Sequence, residues 1–89
     1  MTPTPAVQDF YPEGFSHCRG CGRLNASGHQ FKTRMDGGET VTKYTAQPHE
    51  TAVPGFVYGG LIAALIDCHA MATASAAAVN AAGHQVGEI

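Results

Sequence analysis

The chain has 89 residues, a formal net charge of −2 and 44% apolar residues. This length allows one small domain, and the near-neutral charge excludes a strongly electrostatic nucleic-acid binder, because binding to phosphates needs clustered Lys and Arg. Charged residues make up 13% of the chain, against about 25% in an average soluble protein, so we expect the protein to self-associate.

Residues 1–16 are predicted to form an N-terminal arm, and residues 17–89 the body of a single domain. The arm holds three of the five prolines, and we expect its aromatic side chains, Phe10, Tyr11 and Phe15, to dock onto the body. The first residues show neither the basic nor the apolar region of a secretory signal, and three cysteines are an odd number for a disulfide framework. We therefore expect a cytoplasmic protein.

Two strands are predicted in the middle of the chain. Residues alternate between apolar and polar from His29 to Met35, which is typical of a half-buried strand. Residues 36–39, Asp-Gly-Gly-Glu, predict a hairpin turn. The return strand is expected from Thr40 to Thr45.

The segment from Gly59 to Ala82 is predicted to form one long helix. Ten of its last twenty residues are alanine, the best helix former, and Gly83 follows where a C-terminal cap belongs. At 1.5 Å per residue such a helix is about 36 Å long. Asp67, His69 and Asn80 interrupt the apolar run, and a central Asp costs about 2.5–3.5 kcal/mol in a bilayer. We therefore expect a buried helix of a soluble protein and no membrane partner.

This helix is apolar nearly all round, and a helix of that kind must be covered by other structure. Two strands are too few to cover it. The sequence therefore predicts an α+β fold that is truncated after the central helix, so that the chain is either a fragment or receives the missing sheet from a partner.

Two glycines open the helix at Gly59 and Gly60. Their bare backbone lets a ligand approach the free N–H groups of the first turn, which can stabilise a developing oxyanion. Asp67 lies seven residues beyond Gly60, about 700° around the helix, and so faces nearly the same way. A lone acid in an alanine-rich helix indicates either a functional group or a solvated Asp at an exposed edge.

These residues resemble a known family. Tyr58-Gly59-Gly60, followed by Leu65 and Asp67, is similar to the His-Gly-Gly-(x)₄-Leu-x-Asp signature of hotdog-fold acyl-CoA thioesterases of the phenylacetate-degradation (PaaI-like) type, with Tyr58 in place of the His. Upstream, residues 18–28 resemble the Cys-x-Gly-Cys-Gly…Asn…Gly segment of many of these proteins. The resemblance covers roughly residues 15–80, and the motifs come in the family's order.

The resemblance implies a long helix wrapped by an antiparallel sheet, and a homodimer or homotetramer that hydrolyses acyl-CoA or a related acyl thioester without a cofactor. Gly60 is then the oxyanion donor, and Asp67 the nucleophile or general base. Tyr58, Gly59 and His49 are the expected substrate contacts, although packing or a surface-loop position explains them equally simply. A non-catalytic module that binds acyl thioesters on the same fold is the alternative function.

The spacing of Gly60 and Asp67 predicts a site shared between two chains. The two residues are about 10.5 Å apart along one helix, so one thioester carbon cannot lie within about 3–3.5 Å of both. Antiparallel pairing of two such helices brings Asp67 of one chain near Gly60 of the other.

Cys18 and Cys21 form a Cys-x-x-Cys pair, which is half of a zinc site. Cys68 and His69 are the only adjacent ligands that can complete it, and neighbouring residues on a helix point about 100° apart. We therefore expect no metal and folding that does not require zinc. A small zinc-stabilised interaction domain is the remaining alternative.

Overall fold

The computed structural model describes residues 4–89. In this part of the chain a two-stranded antiparallel sheet, formed by β1 (Thr33–Asp36) and β2 (Glu39–Thr42), packs against one long helix, α1 (Gly59–Ala81). This arrangement confirms the predicted α+β class. Three short 3-10 helices complete the elements: Val7–Phe10, Glu13–Phe15 and Val86–Glu88.

The hairpin forms at the predicted turn. Gly37 adopts a φ of 62°, a left-handed conformation that glycine reaches without steric cost. The register pairs Asp36 with Glu39 at the turn and Thr33 with Thr42 at the open end. The two-residue loop therefore fixes which faces of the strands are buried.

The strands are shorter than predicted, and β1 begins at Thr33 instead of His29. Gln30 has a φ of 57°, which breaks the extended conformation. The N–H groups just before β1 bond elsewhere: His29 donates to the carbonyl of Arg19 at 3.0 Å, and Phe31 to that of Gly20 at 2.9 Å. The N–H groups of His29 and Phe31 thus pair with the loop that carries Cys18 and Cys21, which we call the cysteine loop. Among the described residues, β2 is paired with β1 no further than Thr42.

The helix ends at Ala81, one residue before the predicted Ala82, and Gly83 forms the predicted C-terminal cap. Gly83 has a φ of 83°. His84 N–H donates to the carbonyl of Val79 at 2.8 Å, and Gly83 N–H to that of Asn80 at 3.0 Å. These two bonds form a Schellman motif, which satisfies carbonyls that the helix end leaves free.

A narrow stripe of α1 is buried, and it packs against two parts of the chain. At one end, Leu61 and Cys68 form a cluster with Phe31 and Cys21. At the other end, the stripe continues with alanines, whose short side chains allow the N-terminal arm to approach the helix closely. Val7 packs there against Ala72 and Ala76.

The N-terminal arm docks through Val7 and Gln8, and the expected docking of Phe15 is wrong. Gln8 is 1% exposed; its Nε2 donates to Thr33 Oγ1 at 2.9 Å, and its Oε1 accepts from Thr33 N–H at 2.8 Å. The amide of Gln8 thus satisfies an edge of β1 that the two-stranded sheet leaves unpaired. Phe15, at the end of the turn Glu13–Phe15, is 75% exposed and lines a cavity beside α1.

Much of the remaining helix surface is uncovered. Ile62, Ile66 and Met71 are 49%, 63% and 62% exposed. By length and composition α1 is able to cross a membrane: its most apolar window has a mean hydropathy of 1.5, and 17% of that window is buried. The described part of the chain therefore covers one stripe of a helix that the sequence predicted to be buried on nearly all sides.

Candidate functional site

The loop before α1 brings the chain to the helix at a defined angle. Thr51 and Val57 form an isolated antiparallel bridge, and Gly55, with a φ of 90°, turns the chain between them. The N–H of Tyr58 then reaches the carbonyl of Glu50 at 3.5 Å. This short closed loop sets the position of Tyr58, the N-cap of the helix.

The glycine pair at the start of α1 is open on one side and covered on the other. A Cβ on Gly59 meets no heavy atom within 4 Å, whereas a Cβ on Gly60 lies 2.7 Å from the ring of Tyr58. Tyr58 makes no side-chain capping bond, so the first-turn N–H groups have no cap from that side chain. The N–H of Leu61 donates to the carbonyl of Tyr58 at 3.2 Å, so the aromatic ring lies beside a helix start at which the N–H groups of Gly59 and Gly60 remain as donors.

A cavity of about 540 Å³, which we call the helix-entrance cavity, lies beside this segment. It includes Tyr58 and His49, two of the residues that the sequence predicted to contact substrate. The cavity is lined by Arg19, Ser27, Gly28, His29, Tyr44, Gln47, His49, Glu50, Thr51 and Tyr58.

Glu50 anchors the wall of the helix-entrance cavity. It is 5% exposed and accepts hydrogen bonds from Tyr44 Oη at 2.6 Å and from Gln47 N–H at 2.8 Å. Its second oxygen lies 2.7 Å from His29 Nδ1. The hydrogen bonds from Tyr44 and Gln47 lower the pKa of Glu50, and the bond to Glu50 raises the pKa of Tyr44 to about 12.

A carboxylate held in this way is a poor base, since its bonds stabilise the ionised form. Glu50 therefore holds the loop in place. The sequence places Glu50 in the loop before the glycines, where a surface position is expected, and gives no signal of its contacts with His29 and Tyr44, because these contacts join three segments that are separate along the chain. One signal was available in the sequence. The alternation predicted from Thr40 to Thr45 continues past the end of β2 and places Tyr44 on the inward side, where its ring meets that of Phe31 edge to face with the ring centroids 4.9 Å apart.

Asp67 lies on a different cavity, also of about 540 Å³, which we call the thiol cavity. Its carboxylate is exposed. The structure thus places Asp67 beside the cysteines and away from Tyr58 and His49. The thiol cavity is lined by Tyr11, Pro12, Phe15, Cys18, Cys21, Asp67, Cys68, Met71, Ser75 and Ile89.

Three free thiols converge at the thiol cavity. The Sγ atoms of Cys18, Cys21 and Cys68 all lie within 4.8 Å of one another, and those of Cys18 and Cys68 are 3.9 Å apart. Hydrogen bonds from the backbone N–H groups of Cys21 and Gly20 lower the pKa of Cys18. Burial raises the pKa of Cys21 and of Cys68.

Cys68 and His69, the adjacent ligands that the sequence offered to complete a zinc site, face different parts of the chain. His69 Nδ1 lies 2.7 Å from Thr42 Oγ1, and its Nε2 lies 3.5 Å from Thr40 Oγ1. The helix thus turns His69 towards β2 while Cys68 faces the cysteine loop. Cys68 joins the Cys-x-x-Cys pair alone.

Comparison of the chain with models of known protein families, with curated proteins and with solved structures gives no match. The resemblance to hotdog thioesterases is carried by its motif residues alone, among them Tyr58, Gly60 and Asp67. The function is therefore argued from the chemistry of those residues and from the geometry of the two cavities.

Proposed function

We propose that this chain is a subunit of a cytoplasmic hotdog-fold thioesterase, which hydrolyses an acyl-CoA or a related acyl thioester to free acid and thiol. The observation that carries the proposal is the first part of α1: it begins with uncapped backbone donors at Gly59 and Gly60 and presents an exposed carboxylate at Asp67 on a largely apolar surface. A donor for an oxyanion and a base for water are the two groups that thioester hydrolysis needs.

The hotdog arrangement is the finer part of this proposal. The hairpin lies against α1 and is tied to it by side-chain bonds, with Thr40 Oγ1 at 2.7 Å from Thr73 Oγ1 and Thr42 Oγ1 at 2.7 Å from His69 Nδ1. A sheet that lies along one long helix is what a hotdog fold requires. We infer that further strands cover the remaining faces of the helix.

We propose that the active site forms between two copies of the chain. The midpoint between Gly60 and Asp67 falls between Ala63 and Ala64, so small side chains lie where two antiparallel helices cross. Small residues allow close approach of helix backbones, and a two-fold axis at this point repeats the contact in both directions. Each axis then creates two sites, with Asp67 from one copy and Gly60 from the other.

The reaction follows from these roles. The N–H of Gly60 donates to the thioester carbonyl oxygen. In the general-base route the Asp67 carboxylate takes a proton from the attacking water, the carbon–sulfur bond breaks, and Asp67 returns the proton to the leaving thiolate. In the nucleophilic route Asp67 attacks the carbonyl carbon, the carbon–sulfur bond breaks to leave a mixed anhydride and a thiolate, and water then hydrolyses the anhydride, which frees the acid, restores the carboxylate and supplies the proton of the thiol. Tyr58 and His49 contact the substrate at the helix-entrance cavity, and Gly59 contacts it from the open first turn of α1.

Asp67→Asn tests the chemical role of the carboxylate. The amide keeps the shape of the side chain but neither attacks the carbonyl nor accepts a proton from water, so we expect hydrolysis of acyl-CoA to fall by about 10²- to 10⁴-fold. Asp36→Asn makes the same chemical change on the hairpin and should leave the rate unchanged. A loss below tenfold for Asp67→Asn contradicts the role, and wild-type binding of acyl-CoA without hydrolysis favours the non-catalytic module.

Gly60→Pro tests the donor, and Gly60→Ala is its matched control. Both add a Cβ against the ring of Tyr58, but only proline removes the N–H. Loss of one oxyanion donor costs about 10²- to 10³-fold, so we expect the proline variant to be slower than the alanine variant by that factor.

Mixing the Asp67→Asn and Gly60→Pro variants should restore activity, since a mixed dimer has one intact site; absence of recovery despite subunit exchange contradicts the shared site.

A further inference from the structure

We propose that Cys18, Cys21 and Cys68 together bind one thiophilic metal ion, Zn²⁺, as a three-thiolate site whose fourth coordination position opens onto the thiol cavity. Two elements supply the ligands: the loop supplies two thiols and α1 the third. The proposal replaces the expectation from the sequence that these cysteines bind no metal, because that expectation considered Cys68 only together with His69. It does not depend on thioester hydrolysis, because it concerns only these sulfur atoms and their surroundings.

The spacing of the sulfur atoms fits a metal. A tetrahedral zinc ion with Zn–S bonds of about 2.3 Å places its sulfurs about 3.8 Å apart. The Sγ atoms of Cys18 and Cys68 are 3.9 Å apart, and no pair of the three exceeds 4.8 Å. The Sγ of Cys21 therefore lies within 4.8 Å of both other sulfur atoms.

The loop is built to direct two thiols at the same point. Gly22 N–H donates to the carbonyl of Cys18 at 2.8 Å and closes a tight turn. Gly20 N–H lies 3.4 Å from Cys18 Sγ, a bond of the kind that orients a metal ligand and stabilises its thiolate form. A Cβ at Gly22 lies 2.5 Å from the backbone N of Cys18, so the turn needs glycine there.

The helix reaches the same point because Gly20 leaves room for it. A Cβ on Gly20 lies 2.5 Å from Cys68 Sγ. The missing methyl group is what lets Cys68 approach the backbone of the loop. Cys68 is 4% exposed and Cys21 is 7% exposed, whereas Cys18 is exposed. Thiolates without a counter-charge are costly at the two buried positions, and a bound cation offsets that cost.

A metal at this point has a structural consequence. It links the cysteine loop to α1 beside the cluster of Phe31 and Leu61, and small domains commonly depend on such a link because their cores are small. Three protein ligands leave one position open. That position faces the thiol cavity, where water or a small external ligand completes the coordination sphere.

Cobalt titration of the wild-type chain under anaerobic, reducing conditions tests the site. We expect thiolate-to-cobalt charge-transfer absorption that saturates at one Co²⁺ per chain and disappears on addition of Zn²⁺. Zinc should also protect all three thiols from alkylation and raise the unfolding midpoint, since a ligand that binds the native state stabilises it. These wild-type measurements stand whether or not a cysteine variant folds.

Cys18→Ser, Cys21→Ser and Cys68→Ser should each weaken metal binding by more than about 100-fold, because even groups behind the ligands contribute about 10- to 100-fold. Met71→Leu is the matched control: it removes another sulfur that lines the thiol cavity and should leave the affinity unchanged. Absence of charge-transfer absorption, unchanged affinity in Cys68→Ser, or binding of Cu(I) without binding of Zn²⁺ overturns the proposal.

Discussion

Glu50 connects the loop before α1 to two distant parts of the chain. Its carboxylate accepts a hydrogen bond from Tyr44 and lies against His29, so a single side chain holds together one wall of the helix-entrance cavity. The sequence placed Glu50 in a loop, where an acid is usually solvated. Chemistry of this kind escapes sequence reasoning because nothing in the local pattern indicates which distant residues meet.

Glu50→Gln should change the acid limb of the stability curve. The pKa of Glu50 is lowered from its ordinary value of 4.5, so the ionised carboxylate stabilises the fold above that pH, and this stability is lost as the pH falls through the lowered pKa. We expect the variant to be less stable than wild type at pH 7 and the difference to disappear on acidification. Urea midpoints measured from pH 7 to pH 3 check this.

Glu39→Gln is the control for the Glu50 experiment, since it removes an exposed acid from the hairpin. It should leave the difference between neutral and acid pH close to that of wild type. Parallel curves for wild type and Glu50→Gln across the whole pH range contradict the anchoring role of Glu50.

The elements themselves were predictable where local signals decide them. The two-residue glycine turn fixed the hairpin, and alanine content together with Gly83 fixed the helix. The start of β1 was not predictable, because Gln30 breaks the strand to let Phe31 and His29 bond to the cysteine loop. The N–H groups of His29 and Phe31 can bond either to that loop or to a longer β2, and the packed structure shows that they bond to the loop.

Replacement of Gly83 tests the cap of α1. Gly83 has a φ of 83°, so Gly83→Ala forces an L-residue into the left-handed backbone region, which costs about 1–2 kcal/mol. We expect a loss of this size in the free energy of unfolding, measured by urea denaturation. Chemical synthesis of the chain with D-alanine at position 83 provides the control: it adds the same methyl group but favours positive φ, so stability should be retained. Equal losses for both alanines contradict the cap.

At the scale of the whole molecule, α1 is covered on one side. The sequence indicated that two strands are too few for an apolar helix of this length, and within residues 4–89 only the stripe that includes Leu61, Cys68 and Ala72 is buried. Composition measures how apolar a surface is and not which surface meets it, so the sequence predicts that the helix is covered without identifying the partner surface. Self-association follows as the expectation, since a second copy brings an identical apolar face to the exposed one.

Ile66→Lys should therefore disrupt an assembly of this chain. Ile66 is 63% exposed next to Asp67, and a lysine there places two like charges across a two-fold interface, where unpaired charges are costly. We expect wild type to sediment as a dimer or tetramer and Ile66→Lys to shift to a smaller, less stable species. Val53→Lys makes the same kind of change at a loop residue that is 65% exposed and should leave the assembly intact. A compact wild-type monomer of 9.3 kDa that unfolds cooperatively contradicts the prediction. So does flotation of wild type with lipid vesicles in place of assembly, which assigns the exposed faces of α1 to a membrane.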